Sequence, residues 1–251
     1  MTRVISIHAA RGGTGKSNTL ASLAVLMTMM GKRVAVVDMD IQSPGLHLIF
    51  GQEESGIRHF LNDYLWEKCK IEEAAHDLTM SLGKNVSGKL FLVPASLKPH
   101  EITRVLRESY DPSLLNEGFH NLSERLALDV LLIDTHPGIN EEAMLATTIS
   151  DIELVVLRPN QQDYISTNML VDMARRLNVK NDLMLLNQVP KNLDIAQLKK
   201  KVEDAYLHPV AAIVPYTEEM MLLAGIGVFA LRHPDHTICT LYKQVAETLL
   251  A

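Results

Sequence analysis

Four short stretches carry side chains suited to gripping a phosphate chain and a metal ion. The first is AARGGTGKSN, residues 9–18, directly after the apolar run VISI. Gly12, Gly13 and Gly15 let backbone N–H groups converge on an anion, and a helix opening at Lys16 adds the partial positive charge of its N-terminus. In such a loop Lys16 reaches the β- and γ-phosphates and the Ser17 hydroxyl ligates Mg²⁺. The expected nucleotide-binding set is Gly12, Gly13, Thr14, Gly15, Lys16, Ser17 and Asn18. Two features depart from the strict pattern G-x-x-x-x-G-K-[ST]. Ala10 stands where the first glycine belongs, and Arg11 stands directly in front of the glycine pair. Without a ligand, Lys16 is expected to face solvent.

The second stretch, VVDMDIQSPG, ends a β-branched run with Asp38 and Asp40. Two residues apart on an extended backbone, they point to the same side. Paired carboxylates there suit an attacking water and the hydration shell of a metal. The third, LLIDTHPG, delivers Asp134 from four apolar residues, the Walker B arrangement in which a buried strand brings a carboxylate to Mg²⁺. The fourth, LLLNQVP, lies where a GTPase would carry N-K-x-D. Gln188 and Pro190 break that pattern, which disfavours guanine, while Asn187 retains an amide for the N6/N7 edge of adenine. ATP with Mg²⁺ is the expected ligand.

These stretches need strands to carry them. Short apolar runs fall at 3–8, 33–38, 89–93, 129–133, 152–157, 182–187 and 210–214. Most are nearly continuous, the pattern of parallel strands buried on both faces. Helical-period segments lie between them. In 195–207, Ile195, Leu198, Val202 and Tyr206 share one face, with Lys199, Lys200 and Lys201 largely turned away. Alternation of this kind predicts an α/β fold, a doubly wound and mostly parallel sheet with helices on both faces. Ligands are expected at the carboxyl ends of the strands. One domain is expected over 1–251, with the polar stretch 51–88 as a surface insertion over the sheet edge.

Composition narrows the function classes. The chain has 251 residues, 47% of them hydrophobic, a net charge of −6 and two cysteines, Cys69 and Cys239, in no CxxC pair. Apolar stretches such as LASLAVLMTMM are shorter than the ~20 residues of a membrane span. A strand starts too early to leave room for a signal peptide. The chain reads as cytoplasmic, reduced and without an evident membrane anchor. The acidic balance argues against constitutive DNA binding.

Taken in order, the motifs resemble the MinD/ParA group of P-loop ATPases, whose altered Walker A motif has the form x-K-G-G-x-x-K-[ST]. In that form the position of Ala10 is unconstrained. The resemblance runs through DMDIQSPG, LFLVPAS, LLIDTHPG, LLLNQVP and VPYTEEMMLLAGIGV, from about residue 3 to about residue 230. It implies the SIMIBI type of P-loop NTPase fold and an ATP-hydrolysing switch. Two ATP-bound subunits form a homodimer that engages an unidentified protein partner, and the stretch 51–88 is the candidate docking region. It also implies that Asp40 orients the attacking water, that Ser17, Asp38 and Asp134 serve the metal, and that Pro215 lies near the base. Where the group has a lysine that crosses the dimer, this chain has Arg11, which suits a catalytic role in trans or a local ion pair. His136 stands where the group usually has Ala or Pro, in the segment that would sense the γ-phosphate; the expectation there is a satisfied loop histidine, with a catalytic role as the alternative.

Other functions on the same fold want features that this sequence lacks. A metabolic ligase or kinase is the alternative reading, but no acceptor motif accompanies Lys16 and Asp40. A nucleoid-tracking route would need Lys191, Lys199, Lys200 and Lys201, or Arg175, Arg176 and Lys180, as a basic surface; solvated helix faces are the expected reading. His233, Asp235 and His236 are expected to cap the C-terminal helix rather than to hold a metal.

Overall fold

Parallel strands with apolar side chains on both faces need helices above and below, and the chain supplies them in alternation. The computed structural model describes residues 1–84, 86–108, 110–177, 182–223 and 225–251. Its strands are β1 (Arg3–His8), β2 (Arg33–Met39), β3 (His76–Asp77), β4 (Lys89–Val93), β5 (Val130–Thr135), β6 (Ile152–Leu157), β7 (Asp182–Val189) and β8 (Val210–Pro215). They form one eight-stranded sheet in the order β3-β4-β2-β5-β1-β6-β7-β8. Every pairing is parallel except β3 with β4. The expected α/β, doubly wound architecture is therefore present, and each strand foreseen from sequence is found within two residues of its expected ends.

Alternation along β2 shows why its sequence reads as a continuous apolar run. Val34 and Val36 enter a core cluster with Leu20 and Leu23 of the helix Lys16–Met29 and Tyr242 of the helix Thr237–Leu250. Ala35, Val37 and Met39 enter a second cluster with Leu61, Phe119 and Leu122 on the opposite face. Both sets are buried, so no polar position interrupts the run. A third cluster packs Val155, Met184 and Leu186 against Leu170 and Val202, from the helices Gln161–Arg176 and Ile195–Tyr206.

Two local outcomes differ from the sequence reading. Ile195 is the first residue of its helix and stays about half exposed, whereas Leu198, Val202 and Tyr206 are buried as expected. β3 was not foreseen, because two residues, His76 and Asp77, carry no period. The stretch 51–88 lies along the β4 edge through β3, and its Leu61, Leu65 and Ile71 are part of the second cluster. Among the described residues, no helix is long and apolar enough to cross a membrane.

Candidate active site

The carboxyl ends of β1, β2, β5 and β7 meet around the glycine loop. β1 ends at His8, the chain turns through residues 9–15, and the helix starts at Lys16. Gly13 and Gly15 take φ of +76° and +84°, the left-handed region that a side chain disfavours. A Cβ on Gly15 would also run into the Asn187 side-chain amide. That amide braces the loop from behind. Asn187 Nδ2 donates to the Thr14 carbonyl at 2.8 Å, and Gln188 Nε2 donates to the Gly13 carbonyl at 3.0 Å. Asn187 Oδ1 accepts from the Gln188 N–H at 2.9 Å. An amide nitrogen carries two protons, so one remains for a base edge. Asn18 lies half-buried on the first turn of the helix.

Lys16 departs from expectation. It is only 5% exposed, not solvent-facing, and its Nζ is ion-paired with Asp134 Oδ1. Strand register explains why. Asp38 of β2 lies directly opposite Asp134 of β5. Two buried carboxylates side by side repel, and the nearest cation folds in between the strands and the loop. Asp38 accepts from the backbone N–H groups of Gly45 at 3.2 Å, Leu46 at 3.1 Å and Asp40 at 3.2 Å. Burial pushes its carboxyl up to about 7, Asp134 adds to the push, and the Leu46 and Gly45 amides oppose it. Burial also raises Asp134, against the pull of Lys16 and of the Ser17 hydroxyl.

Two carboxylates against one ammonium leave the pocket short of positive charge. The Thr14 hydroxyl is buried with no hydrogen-bond partner among the described residues. A cation-poor carboxylate pair, an orphaned hydroxyl and a left-handed glycine cradle together fit a magnesium nucleotide.

The remaining residues of the expected site fall around this centre. Asp40 lies just past β2 and contacts His136, whose Nδ1 stands 2.6 Å from Asp40 Oδ1. Arg11 is about half exposed, and its Nε lies 3.9 Å from Asp163 Oδ1. Asp163 already accepts two guanidinium hydrogen bonds from Arg158, at 2.9 and 3.1 Å. Pro215 ends β8 opposite Val189. Beyond it opens a cavity of about 620 Å³ lined by Gln188, Pro190, Lys191, Tyr216, Thr217, Glu218 and Glu219. Sequence reasoning missed Lys191 and Tyr216 as cavity residues. The signals for this wall were Pro215 in the segment VPYTEEMM, which the resemblance put near the base, and the glutamine that breaks the guanine pattern; neither singled out Lys191 or Tyr216.

Of the residues considered for a DNA surface, Lys191 lines the cavity just described, and the helix residues Lys199, Lys200, Lys201 and Arg175 are engaged locally. Lys199 and Lys200 each face an acid one turn on, Glu203 at 3.8 Å and Asp204 at 2.8 Å. Lys201 lies over the Tyr164 ring, and Arg175 pairs with Asp172 at 3.6 Å. Lys180 lies outside the described residues. His236 caps the helix Thr237–Leu250, its Nδ1 accepting from the Ile238 N–H at 3.1 Å.

Comparison with known proteins agrees with the fold. The AAA domain family matches residues 2–202. An uncharacterised ATP-binding protein of Methanocaldococcus jannaschii is 28% identical over all of this chain and 88% of its own length. The septum site-determining protein MinD of Buchnera aphidicola is 25% identical over all of this chain and 92% of its own. Among solved structures, MinD of Pyrococcus horikoshii complexed with Mg-ADP superposes with a TM-score of 0.78 at 24% identity, covering 99% of this chain and 96% of that one. With its doubly wound sheet and its glycine loop leading into the helix at Lys16, the chain belongs to the AAA domain family, as a P-loop ATPase of the MinD/ParA type.

Proposed function

We propose that the protein is an ATP-hydrolysing switch whose two nucleotide states differ in subunit association, and that its dimer engages a cellular partner. The observation that carries this reading is the placement of Arg11. It stands on the rim of the phosphate loop, and the acid beside it is already held by Arg158 through both oxygens. A guanidinium so weakly committed is available to reach across to a second subunit's nucleotide, where an arginine adds about 10³–10⁵-fold in rate in other NTPases. Exposed apolar side chains support an association face nearby. Met144 lies on the helix after β5, and Ile165 and Met169 lie on the helix after β6.

Within one subunit, the loop from Gly12 to Asn18 holds the phosphates, with Lys16 transferring its charge from Asp134 to the nucleotide. Asn187 and the cavity beyond Pro215 receive adenine. Asp40 orients the water that attacks the terminal phosphate. Mg²⁺, held by Ser17 and by Asp38 and Asp134 through its waters, would neutralise charge on the phosphate oxygens. The relatives named for septum siting support a positioning role, in which the ATP-bound dimer is the form that a partner recognises.

Light scattering with ATP and Mg²⁺ tests this directly. The wild type is expected to pass from monomer to dimer. Arg11→Ala is expected to bind a non-hydrolysable ATP analogue normally, remain monomeric and lose most hydrolysis. Dimerisation of Arg11→Ala equal to that of wild type would remove the role in trans. A wild type that stays monomeric on ATP would overturn the switch and favour a metabolic enzyme on this fold.

A further inference from the structure

We propose that His136 is a positioning residue for hydrolysis, fixing the carboxylate of Asp40 so that one oxygen is presented to the attacking water. This rests on the ATPase reading above and on the role of Asp40 in it.

Strand pairing brings the two residues together. β2 and β5 run in register as far as Met39 opposite Thr135. The next residue on each strand is Asp40 on one and His136 on the other, so the two side chains leave the sheet as neighbours. His136 Nδ1 lies 2.6 Å from Asp40 Oδ1, a short charge-assisted contact. An ionised carboxylate only accepts, so Nδ1 carries the proton and donates it. The Ser43 N–H donates to the same Oδ1 at 3.2 Å. Asp40 Oδ2 makes no hydrogen bond among the described residues. One oxygen is therefore tied twice and the other is left to accept.

The loop that carries the histidine is itself anchored. Gly138 donates its N–H to the Ala9 carbonyl at 2.9 Å and accepts from His8 Nε2 at 2.8 Å. The pair is not sealed, since the His136 side chain is 27% exposed and that of Asp40 12%. A carboxylate on a single Cβ otherwise rotates, exchanging its two oxygens. Fixing that rotation before the reaction removes reorganisation from the barrier. The alanine or proline usual at this position in the group has no side-chain donor to do so.

The test is a set of three substitutions. His136→Ala is expected to lower kcat by about 10–100-fold, the usual cost of losing a group that orients a working residue. KM and the affinity for a non-hydrolysable ATP analogue are expected to hold. His136→Asn places an amide N–H close to the position of Nδ1 and should restore most of the rate. His136→Gln extends its amide toward the position of Nε2 and should not. Unchanged thermal melting of all three shows that the fold is kept. In the nucleotide-free protein, proton NMR should show a downfield Nδ1–H resonance that disappears in His136→Ala and moves in Asp40→Asn.

Wild-type kcat in His136→Ala overturns the proposal, as does rescue by Gln without rescue by Asn, which would put the outer nitrogen to work instead. Parallel loss of analogue affinity and rate overturns it too, since that marks general collapse of the site. Absence of the Nδ1–H resonance in wild type has the same force. A wild type that hydrolyses no ATP overturns the ATPase reading itself, whatever the NMR shows.

Discussion

On either side of β1, the sheet buries a pair of carboxylates on adjacent parallel strands, and the two pairs have opposite fates. On one side Asp38 of β2 and Asp134 of β5 sit opposite each other at the carboxyl ends of their strands. On the other, Glu153 of β6 and Asp182 of β7 sit opposite each other near the amino ends. The first pair opens onto the glycine loop and is met by Lys16. The second is closed in. Glu153 Oε1 stands 2.9 Å from His8 Nδ1 and accepts from the Thr147 hydroxyl at 2.9 Å. Glu153 Oε2 and both oxygens of Asp182 lack hydrogen-bond partners among the described residues. His208 Nε2 stands 3.5 Å from Asp182 Oδ2, and burial pushes both groups toward their neutral forms. Position along the strand, more than residue type, separates a pair that meets a cation from one that is closed in among neutral partners and unsatisfied oxygens.

The strongest way to break this contrast is to remove the cation from the open pair. Lys16→Ala should weaken binding of a fluorescent ATP analogue by about 2–5 kcal/mol, the cost of truncating a buried charge partner. Unchanged affinity would show that the loop is not a phosphate site and that the two pairs are alike.

The closed pair predicts a pH effect on stability. Asp182 is raised to about 7 by burial and by Glu153, with Arg175 opposing. Its folded-state value lies above that of the unfolded chain, so its contribution to stability is complete only below the unfolded value of about 4, falls as pH rises through mild acid and is gone by about 7. Asp182→Asn cannot ionise. It should stabilise the protein at pH 8 by about 1–3 kcal/mol, the penalty of an unsatisfied buried group. Thermal melts from pH 5 to 8 should show a decline in wild type that is shallower in the variant, with Asp38 supplying what remains. Parallel declines would mean that Asp182 does not carry the effect.

The smallest effect is expected at Glu153. His8 faces an oxygen acceptor on each ring nitrogen, Glu153 at Nδ1 and the Gly138 carbonyl at Nε2. A side-chain amide in place of the carboxyl would supply one of the two protons these contacts need, so Glu153→Gln should change stability by no more than about 0.5–1.5 kcal/mol. It should also shift the pH at which stability declines, because Asp182 loses a neighbouring negative charge and ionises more readily; the shift is downward. The same melts check both, with Glu153→Leu as the costlier control that leaves His8 unpartnered at Nδ1.

The open pair was legible in the sequence and the closed one was not, for a physical reason. Asp38, Asp40 and Asp134 each follow an apolar run, so the strand that delivers them also announces them. Glu153 and Asp182 stand at strand starts, where an acid reads as a solvated boundary. The parallel sheet was legible because burial on both faces writes itself as unbroken runs such as VLLID. Pairings between distant segments left no local trace. The Lys16–Asp134 ion pair, the His136–Asp40 contact and the brace from Asn187 to Thr14 all join residues far apart in sequence. The exposure of Ile195 was missed for the opposite reason, since periodicity assigns a face without saying where the partner surface stops.

The sheet order also bears on how the molecule is made. β1 lies in the middle of the sheet, with Arg3 beside Val130 of β5 and Ile5 beside Ile152 of β6. At synthesis rates of about 5–20 residues per second, those neighbours follow β1 by roughly 6–30 seconds. Until then the strand has no edge to join, and the glycine loop behind it has neither Asp134 nor Asn187 to hold its shape. Such long-range pairing slows folding. Nucleotide therefore cannot template the early chain; it can only bind the finished sheet and pull the folding equilibrium forward by mass action. During that interval β1 is an apolar segment without a partner, and this is the stage at which a chaperone would serve the protein most.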